Sequence, residues 1–292
     1  MKLPALLFVL ALLAGCGAPA AASPPAASGG NQPAPPLTLL VTSADLAVGP
    51  NHFAFALLDD HNQPIAGAPV KVTFYDLSGA QPTPLDSADA TWRRPLSEWN
   101  RGVYKTDVTF DRAGPFGVEA AVTRDDGTTQ TVRTRFDVHP QSATPAFGAA
   151  VPRSHNLTVR DAVDPIELCT ATAEVCEATL DLRQLTIADA IAQGKPLVVL
   201  FATPGFCTSQ TCGPQLEVFQ KVADRYRDRA NFIHVEIFKD PQARTPNATV
   251  EEWGLPSEPW TFVVDGAGNL ADKFDGITTP DEIEQAVQRL LR

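Results

Sequence analysis

The stretch PLVVLFATPGFCTSQTCGP, residues 196–214, decides the fold of the C-terminal half of the chain. Pro196 to Ala202 is an unbroken apolar run, the pattern of a β-strand covered on both faces. Thr203-Pro204-Gly205 interrupts it with turn-forming residues. Gly213-Pro214 then opens a helix on which Leu216, Phe219, Val222, Ala223 and Tyr226 share one face. Cys207 and Cys212 thus lie between the end of a buried strand and the start of a helix. A thiolate at a helix N-terminus is stabilised by the macrodipole and by unpaired backbone N–H groups, which depresses its pKa.

The same mixed pattern extends on both sides of the quoted stretch. Upstream, Thr186 is an N-cap with Asp189 at N3, and Ile187, Ala190 and Ile191 lead a short helix that stops at Gly194. Downstream, Asn231 to Ile237 reads as a strand, Thr249 to Trp253 as a short helix, and Trp260 to Val264 and Leu270 to Phe274 as two strands joined by Asp265-Gly266-Ala267-Gly268-Asn269. Thr279 as N-cap, Pro280 at N1 and Glu282 at N3 make a capping box for a final helix that buries Ile283, Ala286, Val287, Leu290 and Leu291.

A strand, helix, strand, short helix, two-stranded hairpin and final helix, with a cysteine pair after the first strand, resembles the thioredoxin superfamily over residues ~186–292. Phe201 to Cys207 looks like that family's strand end, aromatic residue and first cysteine. Gly254 to Asp265 looks like the segment carrying its cis-proline, with Pro259 at the matching position. The resemblance implies an α/β thioredoxin-like fold and thiol–disulfide exchange without a cofactor or metal. Cys207 would attack, Cys212 would resolve, and Pro259 would shape the groove for an extended protein partner. The sequence departs from the pattern in three places. Four residues rather than two separate the cysteines, Phe206 stands where a Trp is usual, and Gln215 stands where a second Cys would follow Cys212-Gly213-Pro214.

Two alignments therefore stay open, with either Cys207 or Cys212 as the leading cysteine. No buried acid behind the pair is identifiable from sequence. The alternative to catalysis is a surface lipoprotein that binds a protein partner and uses its disulfides structurally. A peroxiredoxin-like Pro204, Thr208, Cys212 triplet places its Cys one position late. A copper chaperone of the Sco type would need a distant His, and His234 follows Cys212 too soon; it reads as a core histidine.

Cys169 and Cys176 are spaced for a local structural disulfide just before the fold begins. They complete an even set of four once Cys16 is set aside from the five cysteines. Cys16 closes Leu13-Ala14-Gly15-Cys16, which resembles a bacterial lipobox after the apolar run Leu3 to Ala14. That resemblance implies a lipoprotein signal peptide at 1–15, lipid on Cys16, membrane attachment and an extracytoplasmic location. Residues 16–36 are small, uncharged and Pro/Ala-rich, the composition of a solvated tether.

Residues 37–140 alternate short Val-, Phe- and Thr-rich runs with turn signals, so an all-β immunoglobulin-like sandwich is expected there. Residues 141–156 repeat the Pro-rich composition and read as a linker, leaving 157–292 as the thioredoxin-like domain. Net charge is −11, and residues 152–292 hold 13 basic against 21 acidic side chains. With no basic patch, nucleic acid is not an expected partner.

Overall fold

The computed structural model describes residues 36–292 apart from 97, 100 and 162. The expected signal peptide, Cys16 and all but the last residue of the tether lie outside the described residues.

Seven strands form the N-terminal part: β1 (Thr38–Val41), β2 (Gly49–Leu58), β3 (Val70–Asp76), β4 (Thr83–Arg93), β5 (Val103–Phe110), β6 (Gly114–Thr123) and β7 (Thr129–Val138). Neighbours pair antiparallel in the order β1-β2-β5-β4-β3-β6-β7, and the sheet curls until β1 lies against β7. The all-β reading stands, in the form of a nearly closed barrel. Its interior is filled by Phe53, Phe55, Phe74, Tyr104, Phe110 and Phe116, all buried and in ring-to-ring contact. β4 joins the two halves, pairing with β3 over Thr83–Ala90 and with β5 over Thr91–Arg93.

The C-terminal sheet has the order β13-β12-β8-β9. Its strands are β8 (Leu197–Phe201), β9 (Asn231–Val235), β12 (Trp260–Val264) and β13 (Leu270–Asp275). β8 and β9 are parallel and the others antiparallel. A small hairpin, β10 (Phe238–Asp240) with β11 (Thr245–Pro246), stands beside them. The helices are α1 (Pro165–Leu168), α2 (Ala173–Ala178), α3 (Ile187–Ala192), α4 (Cys212–Tyr226), α5 (Ala248–Glu252) and α6 (Pro280–Leu290).

The continuous apolar run of β8 has a plain cause. Val198 and Leu200 point into one core with α4 and α6, whereas Leu197, Val199 and Phe201 point into the other with α3 and α5. The two caps read from sequence are present: Thr186 accepts from Asp189 N–H at 3.0 Å, and Thr279 with Glu282 forms a reciprocal capping box.

The segment expected to be a linker is strapped down. Gly148 and Val151 N–H donate to Leu270 and Gly268 carbonyls, and Ala149 O accepts from Leu270. Asn156 Oδ1 accepts the N–H of Ile187 at the start of α3 at 2.7 Å.

Charged groups bridge the barrel and the C-terminal sheet. Lys105 meets Glu282 at 3.0 Å, and Lys273 reaches Asp45, Ser142 and Thr144 at 3.3, 2.6 and 2.8 Å. Burial would raise the Asp45 pKa, but donors from Ser142, Thr144 and Ala143 outweigh it and hold the group at about 2. His52 sits between Asp107 at 2.6 Å and Asp272 at 2.8 Å, with its ring stacked on Phe274. Burial alone would lower its pKa; the two carboxylates raise it from 6.5 to about 9.

A raised folded-state pKa means that this contribution is complete below about pH 6.5 and is lost as pH rises through about 9. The melting temperature should therefore fall between about pH 7 and about pH 10, and His52→Gln should flatten that fall. Equal slopes for the two proteins would show that His52 does not carry the effect.

Candidate functional site

β8 ends within the sheet between β12 and β9, and Ala202 and Thr203 remain buried beyond its C-terminal end. The backbone then turns through Pro204 and Gly205. Gly205 has no room for a side chain, because a Cβ there would lie 2.2 Å from the Thr170 carbonyl. The sequence Cys207-Thr208-Ser209-Gln210-Thr211 folds back so that Cys207 and Cys212 form a disulfide with Cα atoms 6.0 Å apart.

The two sulfurs are not equivalent. Cys212 is the first residue of α4 and is fully buried in the core with Leu216 and Phe219. Cys207 packs on that core but is only half-buried. The Cys212 N–H points at Cys207 Sγ at 3.3 Å, and Ser209 Oγ lies 3.2 Å from the same sulfur. Both are positioned to stabilise a Cys207 thiolate, the helix N–H through the unpaired donors of a first turn. Of the two sulfurs, that of Cys207 is therefore the more accessible and the one that receives these donors.

The turn is braced from outside. Gln210 adopts φ +61°, a left-handed conformation that costs a non-glycine residue about 1 kcal/mol. Arg244 donates to Thr208 Oγ1 at 2.9 Å and lies 3.7 Å from Glu258, whose carboxylate accepts from Thr208 N–H at 3.4 Å. Glu258 precedes Pro259 across a cis peptide bond. The buried Pro259 is therefore tied to the cysteine turn through its neighbour.

The second pair is also joined: Cys169 and Cys176 form a disulfide with Cα atoms 5.8 Å apart. Its shoulders are held by one buried guanidinium. Arg183 donates to Leu168 O at 2.8 Å, to Thr179 O at 2.7 Å and to Thr179 Oγ1 at 2.9 Å. It also meets His234 Nδ1 at 2.7 Å.

Fold and cysteine geometry agree with the sequence comparison, in which the thioredoxin-like domain family matches residues 183–291. This part of the chain is a thioredoxin-like domain. Among solved structures, the chain is similar to a thiol:disulfide interchange protein of the thioredoxin family from Chlorobium tepidum TLS. The identity is 14%, over 51% of this chain and 99% of that one, with a TM-score of 0.36. It is also similar to a DsbF homologue from Corynebacterium diphtheriae, at 16% identity over 37% and 78% of the two chains, with a TM-score of 0.32. No curated protein matches the chain.

Within the thioredoxin-like domain, three residues escaped the sequence reading. Glu236, just past β9, is a buried acid that accepts from Thr170 N–H at 3.0 Å, Thr170 Oγ1 at 2.9 Å and Ile237 N–H at 3.0 Å. Burial pushes its pKa up despite these donors. Thr170 Oγ1 in turn accepts from Gly205 N–H at 3.0 Å, so Glu236 supports the loop ahead of Cys207 at one remove. Its only sequence signal is a carboxylate ending the apolar run Asn231 to Val235. Arg183 and Arg244 gave no signal, because their partners come from distant segments.

His234 is fully enclosed, with Nε2 3.0 Å from Ala202 O and Nδ1 facing Arg183. Burial and the neighbouring guanidinium push its pKa well down. With both ring nitrogens engaged, it is a core histidine, and the Sco-type arrangement finds no ligand there. A fully buried Cys212 likewise fits poorly with a peroxide-reactive sulfur.

After reduction, Cys207 should alkylate with iodoacetamide at least roughly tenfold faster than Cys212 under native conditions, since reactivity follows thiolate character and exposure. Peptide mapping of partly labelled protein measures this. Equal labelling would contradict the asymmetry.

Proposed function

We propose that the chain is a thiol–disulfide oxidoreductase, held on the outer side of a bacterial cell membrane by lipid on Cys16. The observation that carries this reading is the pairing of a half-buried Cys207 with a buried Cys212 whose N–H points at the Cys207 sulfur. A purely structural staple has no need of that asymmetry, whereas exchange needs one accessible nucleophile and one shielded resolver.

In the reducing direction the Cys207 thiolate attacks one sulfur of a partner's disulfide. A Cys207–partner mixed disulfide forms, the partner's S–S bond breaks, and the first partner thiolate leaves. The Cys212 thiolate then attacks Cys207 Sγ, closing Cys207–Cys212 and releasing the second partner thiolate. Two electrons pass from the dithiol to the partner. The protons lost by Cys207 and Cys212 balance those taken up by the two released thiolates. In the oxidising direction the same steps run backwards, with a partner dithiol as reductant. Pro259 shapes the groove in which an extended partner backbone lies, and Glu258 fixes that segment to Thr208.

The Cys169–Cys176 pair is structural in this reading, because Arg183 clamps the backbone on both sides of it. The N-terminal domain, which we read as an immunoglobulin-like module, and the tether set the distance from the membrane.

The soluble form lacking residues 1–16 should accelerate insulin reduction by dithiothreitol, and Cys207→Ser should remove that acceleration. Cys212→Ser should instead accumulate a covalent mixed disulfide with the partner, visible on a non-reducing gel. A wild-type protein no faster than dithiothreitol alone would overturn the reading.

A further inference from the structure

The loop between β4 and β5 carries the N-terminal barrel into the cysteine site. Pairing of Arg93 with Val103 closes its neck. At that neck, a Cβ on Gly102 would lie 2.4 Å from the Arg93 carbonyl and 2.6 Å from the Trp92 ring, so the loop's base is packed tight. Beyond the neck, Leu96 is 6% exposed and belongs to the same apolar cluster as Cys212, Leu216 and Phe219, on which Cys207 also packs. Glu98 lies in the field of Lys221 on α4. Arg101 Nη1 donates to Gln210 Oε1 at 3.1 Å. Gln210 is the turn residue with left-handed backbone, midway between the two cysteines. One loop of the barrel therefore enters the core that buries Cys212 and bonds the strained crest of the turn.

We propose that the β4–β5 loop is a working part of the redox site, with Leu96 and Arg101 as positioning residues that hold the turn folded so that Cys212 can reach Cys207. This rests on the redox reading above and deepens it. Cys212 resolves a mixed disulfide only when the five-residue turn brings its sulfur back to Cys207. Holding that turn raises the effective concentration of one thiol at the other. The same bias favours the closed disulfide over the open dithiol.

The two contacts differ in weight. Arg101 and Gln210 are both exposed, and one surface hydrogen bond shifts an equilibrium roughly two- to fivefold. Leu96 is buried, and its truncation removes packing from the core in which Cys212 is seated, so it carries the larger share.

The test is equilibration of the full chain, from residue 17 onward, with glutathione redox buffers, together with stopped-flow resolution of a glutathione adduct on Cys207. Arg101→Ala should move the dithiol–disulfide equilibrium about threefold toward the dithiol and slow resolution by a similar factor. Arg101→Lys should recover most of both. Leu96→Ala combined with Arg101→Ala should exceed roughly tenfold, measured at a temperature where melting curves show the variant folded. In a Gln210→Ala background, Arg101→Ala should have no further effect, which a general loss of stability would not reproduce. Wild-type exchange with unchanged constants in the Arg101 and Leu96 variants would overturn this inference alone. A wild-type pair that never exchanges with glutathione would overturn the redox reading and this inference with it.

Discussion

One backbone N–H, that of Cys212, is the contact about which the cysteine turn is arranged. As the first residue of α4 it has no carbonyl one turn behind to bond, and the chain supplies the Cys207 sulfur instead. Everything around it serves that placement. β8, between β12 and β9, is buried on both faces, and its alternating residues satisfy two cores at once. Gly205 must lack a side chain for the chain to pass Thr170. Gln210 turns left-handed where four residues separate the two cysteines.

The barrel and the thioredoxin-like domain are fastened by polar groups rather than by a broad apolar face. Ala54, Val103 and Ile277 make a small apolar contact there and Leu96 enters the C-terminal core, whereas Lys105–Glu282, Lys273–Asp45 and His52 between two aspartates lie along the seam. Largely buried pairs such as Lys105–Glu282 and Lys273–Asp45 add little net stability, because desolvation offsets much of the attraction, but leaving one partner unpaired is expensive. Their effect is to single out one docking arrangement. That arrangement places Leu96 in the core that buries Cys212 and Arg101 at the cysteine turn.

The parts legible in the sequence were those with local causes. The apolar run of β8, the Thr186 and Thr279 caps and the turn at Asp265–Asn269 each rest on residues within one element, and each is found in the structure. β4 was not legible. Its sequence TPLDSADATWR has Pro and Asp in place of alternating apolar residues, because most of its length is exposed and its role is to join the two halves of the barrel. The strap at 141–156 looked like a linker because its partners are distant: its backbone bonds Gly268 and Leu270, and Ser142, Thr144 and Asn156 bond Lys273 and Ile187, which composition cannot encode. The cysteine pair was visible, but the burial that separates Cys207 from Cys212 depends on α4 beginning at Cys212, one residue before the Gly-Pro signal. Glu236, Arg183 and Arg244 depend on partners far along the chain, and single-sequence patterns do not report such pairs.

The reduction potential of the Cys207–Cys212 pair in the folded chain is the most direct test of whether it turns over. Oxidoreductases of the thioredoxin type lie between about −120 and about −270 mV, and inert structural disulfides lie below about −300 mV. A value in the first range, with Cys207 titrating below the ordinary thiol pKa, is the expected result. A potential below about −300 mV with no low-pKa thiol would contradict it and leave the pair a structural bond.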